Sequence, residues 1–385
     1  RLRWADPLIL GPTTLPPMIM RRSLLLTAFL LVGAACSGGS SVETTTTLPT
    51  TATTTTAATT TSTSTTSTTF GTTTTLDSTI VTLLPEGFRS PVNGLRADLE
   101  TNLDRRAIAV KIDNHPEARP QSGLQEADAV IELLVEGGFT RFIAVFHDND
   151  SEYLGPVRSI RPTDSTIIPA IPAPFAMSGG QPWVQSLTVS RGVKLIGEST
   201  LGLFRTSQRT APHNLYADTT RVRQTADARS YSNDPPQWIY RVDEWHIPET
   251  PATTVVLSWS PQSVVTWRYE DGRYERSYGN SPHNYVTESG DRGQLTVDVL
   301  VILTGREYTA SSLIPGDGTP VPATETTGHG DAWVISRGGV WTGTWEREEI
   351  TDQFTLLNAD GTETVVPAGI AWVSIFPSDR TITIS

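Results

Sequence analysis

The residues of this chain that could do chemistry fall in short polar motifs, each placed where a predicted strand or helix meets a loop. Asp113-Asn114-His115 follows a predicted strand, and Glu136 and Arg141 flank a Gly-Gly turn. Arg158 and Arg161 precede a predicted helix. Binding and catalytic residues are commonest on loops at strand ends, because the scaffold beneath them is rigid. We therefore expect these motifs to converge on one site.

The residue types in these motifs suit an anionic or polar ligand. Arginine offers a planar fork of donors for a carboxylate or phosphate, and a helix N-terminus favours the same charge. The predicted ligand-binding residues are Asp113, Asn114, His115, Arg119, Gln121, Ser122, Glu136, Arg141, Arg158, Arg161, His213 and Asn214. The alternative is that these arginines and carboxylates pair with one another and only fix the geometry of the loops.

Catalysis stays open but is not required by the sequence. The chain contains no GxSxG, HExxH, P-loop or CxxC motif. His115 and His213 with Asp113 could supply a general base and its orienting carboxylate. Ser122 or Ser178 could then act as the nucleophile. We treat enzyme activity as undecided and prefer a binding protein.

Neither a metal nor a cofactor is expected. The two histidines with Asp113 or Glu136 could bind a metal ion, but two distant histidines do not define a site. Residues 148–152 begin like a calcium loop, yet Tyr153 stands where such a loop needs glycine. Residues 328–331 lack the third glycine of a dinucleotide-binding loop and are predicted to form a turn.

The hydrophobic pattern predicts an α/β (or α+β) first domain over residues 79–248, which would position the polar motifs. Strands are predicted over residues 107–112, 127–135, 140–146 and 174–178. Helices are predicted over residues 161–169, 181–193 and 218–229. The turn at Gly137-Gly138 joins two of the strands, and Asp218 is the predicted N-cap of the last helix.

The second domain, residues 249–385, is predicted to be mostly β because helical periodicity is scarce after Pro248. Strands are predicted over residues 253–259, 264–269, 273–278, 294–303, 332–336, 340–345 and 370–376. Its tryptophans are expected in the core: Trp267, Trp333, Trp341, Trp345 and Trp372. The alternative is that these rings form a surface on which sugars stack.

The start of the chain carries the pattern of an export signal. Met20 is the expected start, so we interpret residues 1–19 as non-native upstream translation. Arg21 and Arg22 precede an apolar run over residues 24–32. That run is far shorter than the ~20 residues a transmembrane helix needs. Residues 20–35 are therefore predicted to be a cleaved signal peptide.

Cys36 is the single cysteine of the chain, and its surroundings resemble a lipobox. Small residues precede it, although Gly33 stands where leucine or valine is usual. We predict lipidation of Cys36 and a lipid anchor at the extracytoplasmic face of the cell membrane, because two or more acyl chains hold a protein firmly. The alternative is a chance residue at an ordinary secretory cleavage site. A lone thiol also rules out an internal disulfide.

Residues 36–78 are predicted to be a disordered, Thr-rich linker between the anchor and the body. No charged residue occurs from Thr44 to Leu76, and Thr, Ser and Ala dominate. Such a stretch cannot bury enough apolar surface to offset the entropy of ordering it. We expect the linker to hold the body tens of ångströms from the lipid surface.

The charge of the chain argues against nucleic acid as a partner. The net charge is −12, and residues 1–35 carry four arginines against one aspartate, which leaves −15 for the remainder. Non-specific nucleic-acid binding depends on basic surface. The expected partners are the membrane, through lipid on Cys36, and either a peptidoglycan fragment or another envelope protein.

Several long motifs resemble the YerB-like bacterial lipoproteins, a family with two domains and no settled activity. The matching stretches are residues 110–116, 118–124, 136–142, 155–162, 211–216, 330–333 and 343–345. The resemblance covers nearly the whole body and implies two paired domains on an envelope lipoprotein. It implies no activity.

Three functional hypotheses follow. The first is a lipid-anchored module that binds or senses an envelope ligand. The second is a cell-wall hydrolase or transferase that uses His115 and His213, and the third is a scaffold for another envelope protein. The deciding observation is whether the polar motifs surround one cleft.

Overall fold

The computed structural model describes residues 89–97, 102–234, 236 and 246–385. Cys36, the export signal of residues 20–35, the upstream residues 1–19 and the linker over residues 36–78 lie outside the described residues. The described residues all belong to one compact unit. Among them, no helix has the length and apolar character needed to cross a membrane.

The described residues form many short strands and few helices. The strands are β1 (Ile108–Asp113), β2 (Ala129–Leu134), β3 (Thr140–Phe146), β4 (Phe175–Ala176), β5 (Leu195–Ile196), β6 (Leu203–Arg205), β7 (Leu215–Ala217), β8 (Thr254–Ser260), β9 (Ser263–Glu270), β10 (Arg273–Tyr278), β11 (Ser281–Pro282), β12 (Asn284–Val286), β13 (Arg292–Gln294), β14 (Thr296–Val297), β15 (Val299–Gly305), β16 (Glu307–Ala310), β17 (Val321–Thr324), β18 (Gly328–Ser336), β19 (Gly339–Arg347), β20 (Thr355–Leu357), β21 (Ala371–Pro377) and β22 (Thr381–Ile384). The α-helices are α1 (Asp164–Ile167), α2 (Pro182–Ser190) and α3 (Thr219–Ala228), and the 3-10 helices are Pro116–Ala118, Leu124–Glu126, Glu136–Gly138 and Ile168–Ala170.

A ten-stranded sheet runs through the whole body in the order β20-β19-β18-β15-β21-β2-β3-β1-β4-β5. Strands β1 to β5 of this sheet belong to the predicted first domain. The other five strands, β15, β18, β19, β20 and β21, belong to the predicted second domain. The two sets meet where β2 pairs in parallel with β21, from Ala129 opposite Ala371 to Leu133 opposite Ile375. Because β1, β2 and β21 are buried along their full lengths, both faces of this sheet must be covered.

Alternate side chains of the central strands enter two different cores, as the two-residue period of a strand requires. On one face, Ala109 of β1 packs in a cluster with Ile167 of α1 and Val184 of α2. On the other face, Val110 packs in a cluster with Trp267 of a six-stranded sheet. That second sheet has the order β11-β10-β9-β8-β22, with β14 also paired to β10. The central sheet therefore lies between helices and a second sheet.

The predicted α/β first part and mostly β second part are confirmed, and single elements differ. Asp218 caps α3 as predicted, with its side chain accepting a hydrogen bond from Arg221 N. The turn predicted over residues 328–331 is wrong: β18 begins at Gly328 and pairs with β19 along its whole length. Ladder pairing with a neighbouring strand overrides the turn preference of the two glycines.

The tryptophans divide between core and partly covered positions. Trp267, Trp345 and Trp372 are at most 1% exposed. Trp333 and Trp341 are half-buried, and they pack against the two different cores. The five rings therefore do not form one continuous surface for stacking sugars.

Candidate functional site

Asp113 is the centre of the candidate site. It ends β1, its side chain is buried, and two arginines and a histidine from three other segments approach it. His213 Nδ1 lies 3.0 Å from Oδ2, and Arg158 Nε lies 3.2 Å from the same oxygen. Arg141 Nε lies 3.8 Å from Oδ1. One carboxylate thus brings together motifs that are up to 100 residues apart in sequence.

Backbone pairing places these groups. β1 and β3 pair antiparallel, with Asp113 directly opposite Arg141. The loop that carries Arg158 is held by two hydrogen bonds, from Asp113 N to Pro156 O at 2.8 Å and from Arg158 N to Lys111 O at 2.8 Å. Asp113 and Arg141 therefore lie on paired strands of the central sheet, and backbone hydrogen bonds fix the Arg158 loop to β1.

The turn between β2 and β3 needs glycine for two reasons. Gly137 and Gly138 have φ values of +70° and +71°, which side chains other than glycine rarely adopt. A Cβ added to Gly138 would lie 2.7 Å from Ser260 Oγ. This turn sets Glu136 on one side of the site and Arg141 on the other.

A cavity of about 290 Å³ opens beside Asp113, near the lower end of the range for ligand pockets. It is lined by Asp113, His115, Val135, Glu136, Phe139, Thr140, Arg141 and Arg161. Arg161 Nε donates to both Glu136 carboxylate oxygens, at 2.7 and 2.6 Å. The lining thus holds two arginines and two carboxylates around an apolar wall.

Two arginine donors at the site have no hydrogen-bond acceptor. The Nε groups of Arg141 and Arg158 are buried and unbonded within the described part of the chain, because their contacts with Asp113 lack hydrogen-bond geometry. Burial lowers the pKa of Arg141 to about 10, and the charge of Arg161 adds to the effect. Arg141 remains charged at neutral pH. A buried charged donor without an acceptor is costly, and an anion would remove that cost.

A buried ion pair between Lys111 and Asp164 fixes the backbone of Arg161. Lys111 Nζ lies 2.5 Å from Asp164 Oδ1, and neither side chain is exposed. The other oxygen of Asp164 accepts a hydrogen bond from Arg161 N at 2.6 Å. Burial lowers the pKa of Lys111 to about 8, against the opposing effect of Asp164. Neither Lys111 nor Asp164 was among the predicted site residues, although a lysine inside an apolar strand run was a signal for the pair.

Asn114, Arg119 and Gln121 belong to an interior polar network and do not line the cavity. Gln121 Nε2 and Arg119 Nε both donate to Asn114 Oδ1, each at 3.1 Å. Tyr278 OH donates to the same oxygen at 2.6 Å, and the Arg119 guanidinium lies 3.6 Å from the centre of the Tyr278 ring. These residues join the loop after β1 to β10 of the second sheet.

A buried ion pair continues this network. Arg276 Nη2 donates to both oxygens of Glu132, at 2.8 and 2.9 Å, and both side chains are fully buried. Arg276 Nη1 also donates to His283 Nδ1 at 2.6 Å. The proton of this imidazole is therefore on Nε2, which donates to Gln121 Oε1 at 2.8 Å. Burial and the charge of Arg276 hold the pKa of His283 well below its usual value.

Ser122 and Asn214 also lie outside the cavity lining. Ser122 Oγ is buried without a hydrogen-bond partner in the described residues, and its backbone bridges to Gly155. Asn214 Oδ1 accepts from Arg205 Nη1 at 2.6 Å. Ser178 Oγ, the other serine considered as a nucleophile, donates to Glu198 at 2.6 Å. Neither serine therefore has a histidine as its hydrogen-bond partner.

The structure thus brings together seven of the twelve predicted residues. They are Asp113, His115, Glu136, Arg141, Arg158, Arg161 and His213. Glu117 was not among the predicted residues, yet its Oε2 lies 3.5 Å from His213 Nε2 and 3.8 Å from His115 Nδ1. Its signal was the His115-Pro116-Glu117 order directly after a strand, which places two polar side chains in one turn.

Comparisons with known proteins agree with this architecture. Residues 92–232 match the N-terminal domain, and residues 255–373 the C-terminal domain, of a family described as "Protein of unknown function (DUF3048)". The chain is 34% identical over 147 residues to YerB of Bacillus subtilis (strain 168), whose name describes it as a candidate lipoprotein. That match spans 37% of this chain and 44% of the relative.

The fold is also similar to a solved structure. The crystal structure of the YerB protein from Bacillus subtilis matches with a TM-score of 0.64 at 23% identity, over 77% of this chain and 99% of that chain. At this identity the likeness concerns the fold. With both family domains matched in order, the chain belongs to the DUF3048 family of proteins of unknown function and is YerB-like.

Proposed function

We propose that this protein is a lipid-anchored, extracytoplasmic binding protein for an anionic cell-envelope ligand, which enters the cavity beside Asp113. The observation that carries the proposal is the pair of buried Nε donors of Arg141 and Arg158, which have no acceptor within the described residues. Hydrogen bonds between arginine and carboxylate or phosphate are strong and geometrically specific. Arg141 lines the cavity, so an anionic group there would supply the acceptor that its side chain lacks. Arg158 is not part of the lining, and it would act through the Asp113 carboxylate that both arginines contact.

Glu136 indicates which anion the cavity favours. Its carboxylate binds Arg161 through both oxygens, while 39% of its side chain remains exposed. The same arginine could therefore bind a carboxylate that arrives from solution. The volume of about 290 Å³ suits one substituent of a larger molecule. We favour a peptidoglycan fragment, whose peptide stems end in carboxylates.

The proposed location depends on Cys36 and on the relative. The small residues before Cys36 resemble a lipobox, and the name of the similar YerB protein describes a candidate lipoprotein. Cys36 lies outside the described residues, so its lipid is part of the proposal. A lipid anchor followed by a Thr-rich linker would hold the cavity tens of ångströms from the lipid surface, within the cell wall or the periplasm.

A thermal-shift screen of the full-length protein tests the proposal. Muropeptides with free carboxylates should raise the melting temperature, because a ligand that binds only the folded state stabilises it. Inorganic phosphate tests the alternative anion. The stabilisation should disappear in Arg141→Lys and Arg158→Lys, which keep the charge but lose the fork of donors.

Arg205→Lys is the matched control, since Arg205 pairs with Glu198 and Asn214 outside the cavity. It should respond to the muropeptides as the wild-type protein does. Stabilisation that persists unchanged in both Arg141→Lys and Arg158→Lys would contradict the proposal. An envelope protein recovered by cross-linking, with no response to any anion, would favour the scaffold hypothesis instead.

A further inference from the structure

We infer that His115, Glu117 and His213 form a binding site for a divalent metal ion, with zinc as the preferred ion, at the rim of the cavity. The proposal goes beyond anion binding and does not depend on it. Among the described residues, one nitrogen from each histidine and one oxygen of Glu117 lie within 4.8 Å of one another. Two histidines and one carboxylate are a common ligand set for zinc.

The spacing of these atoms suits one small ion. In a tetrahedral zinc site with ligand bonds of 2.0–2.2 Å, neighbouring ligand atoms are about 3.4 Å apart. His213 Nε2 lies 3.5 Å from Glu117 Oε2, and His115 Nδ1 lies 3.8 Å from the same oxygen. Small side-chain movements would therefore complete the site.

Asp113 orients His213 for this role. The carboxylate of Asp113 can only accept, so His213 Nδ1 carries the proton and donates to Oδ2 at 3.0 Å. In the neutral imidazole this leaves the lone pair of Nε2 directed towards the Glu117 carboxylate, 3.5 Å away. A proton or a metal ion between these two atoms removes their repulsion, so the position suits a cation. A carboxylate that fixes the far nitrogen of a histidine is the usual support of a metal ligand.

His115 is restrained by rings and by its own turn. Its imidazole packs edge-on against Phe139 with ring centres 5.0 Å apart, and it stacks parallel to His213 at 5.7 Å. Glu117 N donates to His115 Nδ1 at 3.3 Å, which is long for a hydrogen bond. Metal binding at Nδ1 would replace only this weak contact.

The ligand atoms favour zinc over harder ions. Calcium and magnesium prefer oxygen ligands throughout, whereas imidazole nitrogen suits zinc and its neighbours in the first transition row. Three protein ligands leave a fourth position, which is typical of zinc sites that receive an exchangeable group. Because His115 also lines the cavity with Arg141 and Arg161, that group would be anionic.

Isothermal titration of zinc chloride into full-length, EDTA-treated protein tests the inference. The wild-type protein should bind one more zinc ion than Glu117→Gln does. If the variant still binds zinc at this site, its zinc affinity should be at least tenfold lower. Glu117 is the residue whose change should disturb the fold least, since 75% of its side chain is exposed. His115→Gln should have the same effect. Asp113→Asn should weaken binding by about 10–100-fold, as for other residues that support a metal ligand.

Glu126→Gln and His329→Gln are matched controls, because both residues are exposed and belong to no metal cluster of the described residues. Every variant keeps Cys36, so zinc bound by its thiol is common to all. Cobalt substitution gives a second readout, a visible absorption band that shifts or disappears in His115→Gln. Equal zinc affinity in wild type and Glu117→Gln, or no zinc binding at all, would overturn the inference. The titration contains no muropeptide and no phosphate, so its failure leaves the proposed function intact.

Discussion

At the scale of residues, Asp113 decides the arrangement of the site. A single buried carboxylate contacts Arg141, Arg158 and His213, and its backbone belongs to a central strand. Opposite charges of this kind can be a purely structural network. The network around Asp113 differs from a purely structural one in two respects. A cavity opens beside it, and the buried Nε donors of Arg141 and Arg158 have no hydrogen-bond acceptor in the described residues.

The first prediction concerns Glu136, which competes with the ligand for Arg161. Glu136→Gln removes the internal carboxylate and leaves Arg161 free to bind an incoming one. A muropeptide carboxylate should then bind more tightly, by a few-fold to roughly tenfold. A hydrogen bond to a charged group contributes about 1.5–3 kcal/mol, and part of this gain is lost because the glutamine of the variant can still accept a hydrogen bond from Arg161. Titration calorimetry measures the change. Weaker binding in this variant would mean that Glu136 contacts the ligand directly.

At the scale of elements, the interior network adds to the β2–β21 pairing that joins the two halves. Glu132 is on β2, Arg276 is on β10 and Trp372, which donates to Glu132 at 2.8 Å, is on β21. The ion pair thus ties the central sheet to the sheet that covers it. Asn114, which is adjacent to Asp113 in the chain, and Gln121, which donates to Asp113 O, extend this network to the site.

The second prediction follows from the burial of that pair. Glu132→Gln leaves the Arg276 charge uncompensated in the interior, so the free energy of unfolding should fall by about 3–5 kcal/mol. Urea denaturation measures it. Replacing both partners, with Glu132→Leu and Arg276→Met, should cost less than the single change. Glu325→Gln, in an exposed pair with Arg306, should have little effect. A single variant as stable as the wild type would show that the pair is not structural.

The third prediction concerns pH and His147, which follows β3. This imidazole is buried with Nε2 3.0 Å from Arg105 O, and burial lowers its pKa to about 4. From pH 6.5 down to 4 the unfolded chain binds a proton that the folded chain does not, so stability falls as pH falls through this window. Below about pH 4 both states are protonated and the loss stops.

His147→Gln keeps a donor for Arg105 O and removes the titrating group. The free energies of unfolding of the two proteins, measured by denaturation between pH 7 and 4, should diverge. The wild-type protein should lose more stability than His147→Gln as the pH falls. Profiles that run parallel across this range would contradict the assigned cause. The comparison cancels the other titrating groups, which are the same in both chains.

The sequence indicated the local elements well, because their causes are local. The buried strand before Asp113, the Gly137-Gly138 turn and the Asp218 cap each depend on neighbouring residues. It could not indicate that Asn114 and Gln121 face inward, since their partners Tyr278 and His283 lie more than 150 residues later. Glu117 was missed because exposed carboxylates are common and only its contact with His213 makes it notable.

At the scale of the whole molecule, one sheet runs through both matched family domains. The parallel pairing of β2 with β21 makes the final strands part of the scaffold that positions Asp113. The division into two domains near residue 248 stays a prediction. Changes in either half are expected to reach the cavity through this sheet and through the Glu132–Arg276 pair.

The fourth prediction concerns the anchor. Cys36→Ser removes the thiol that would carry the lipid, so the protein should leave the membrane fraction and appear in the medium or the periplasm. Fractionation followed by immunoblotting measures the distribution. Ala34→Gly, which keeps the thiol and a small residue before it, is the control and should remain with the membrane. Membrane association that survives Cys36→Ser would contradict lipid anchoring.

The central claim, that the cavity beside Asp113 binds an anionic group through Arg141, is tested most directly by one calorimetric comparison. A muropeptide with a free stem carboxylate and its amidated counterpart are titrated into the wild-type protein and into Arg141→Lys. The account predicts that the free acid binds the wild-type protein at least about tenfold more tightly than the amide does, a difference of about 1.4 kcal/mol, and that Arg141→Lys removes the preference. Equal affinities for acid and amide in the wild-type protein would contradict it.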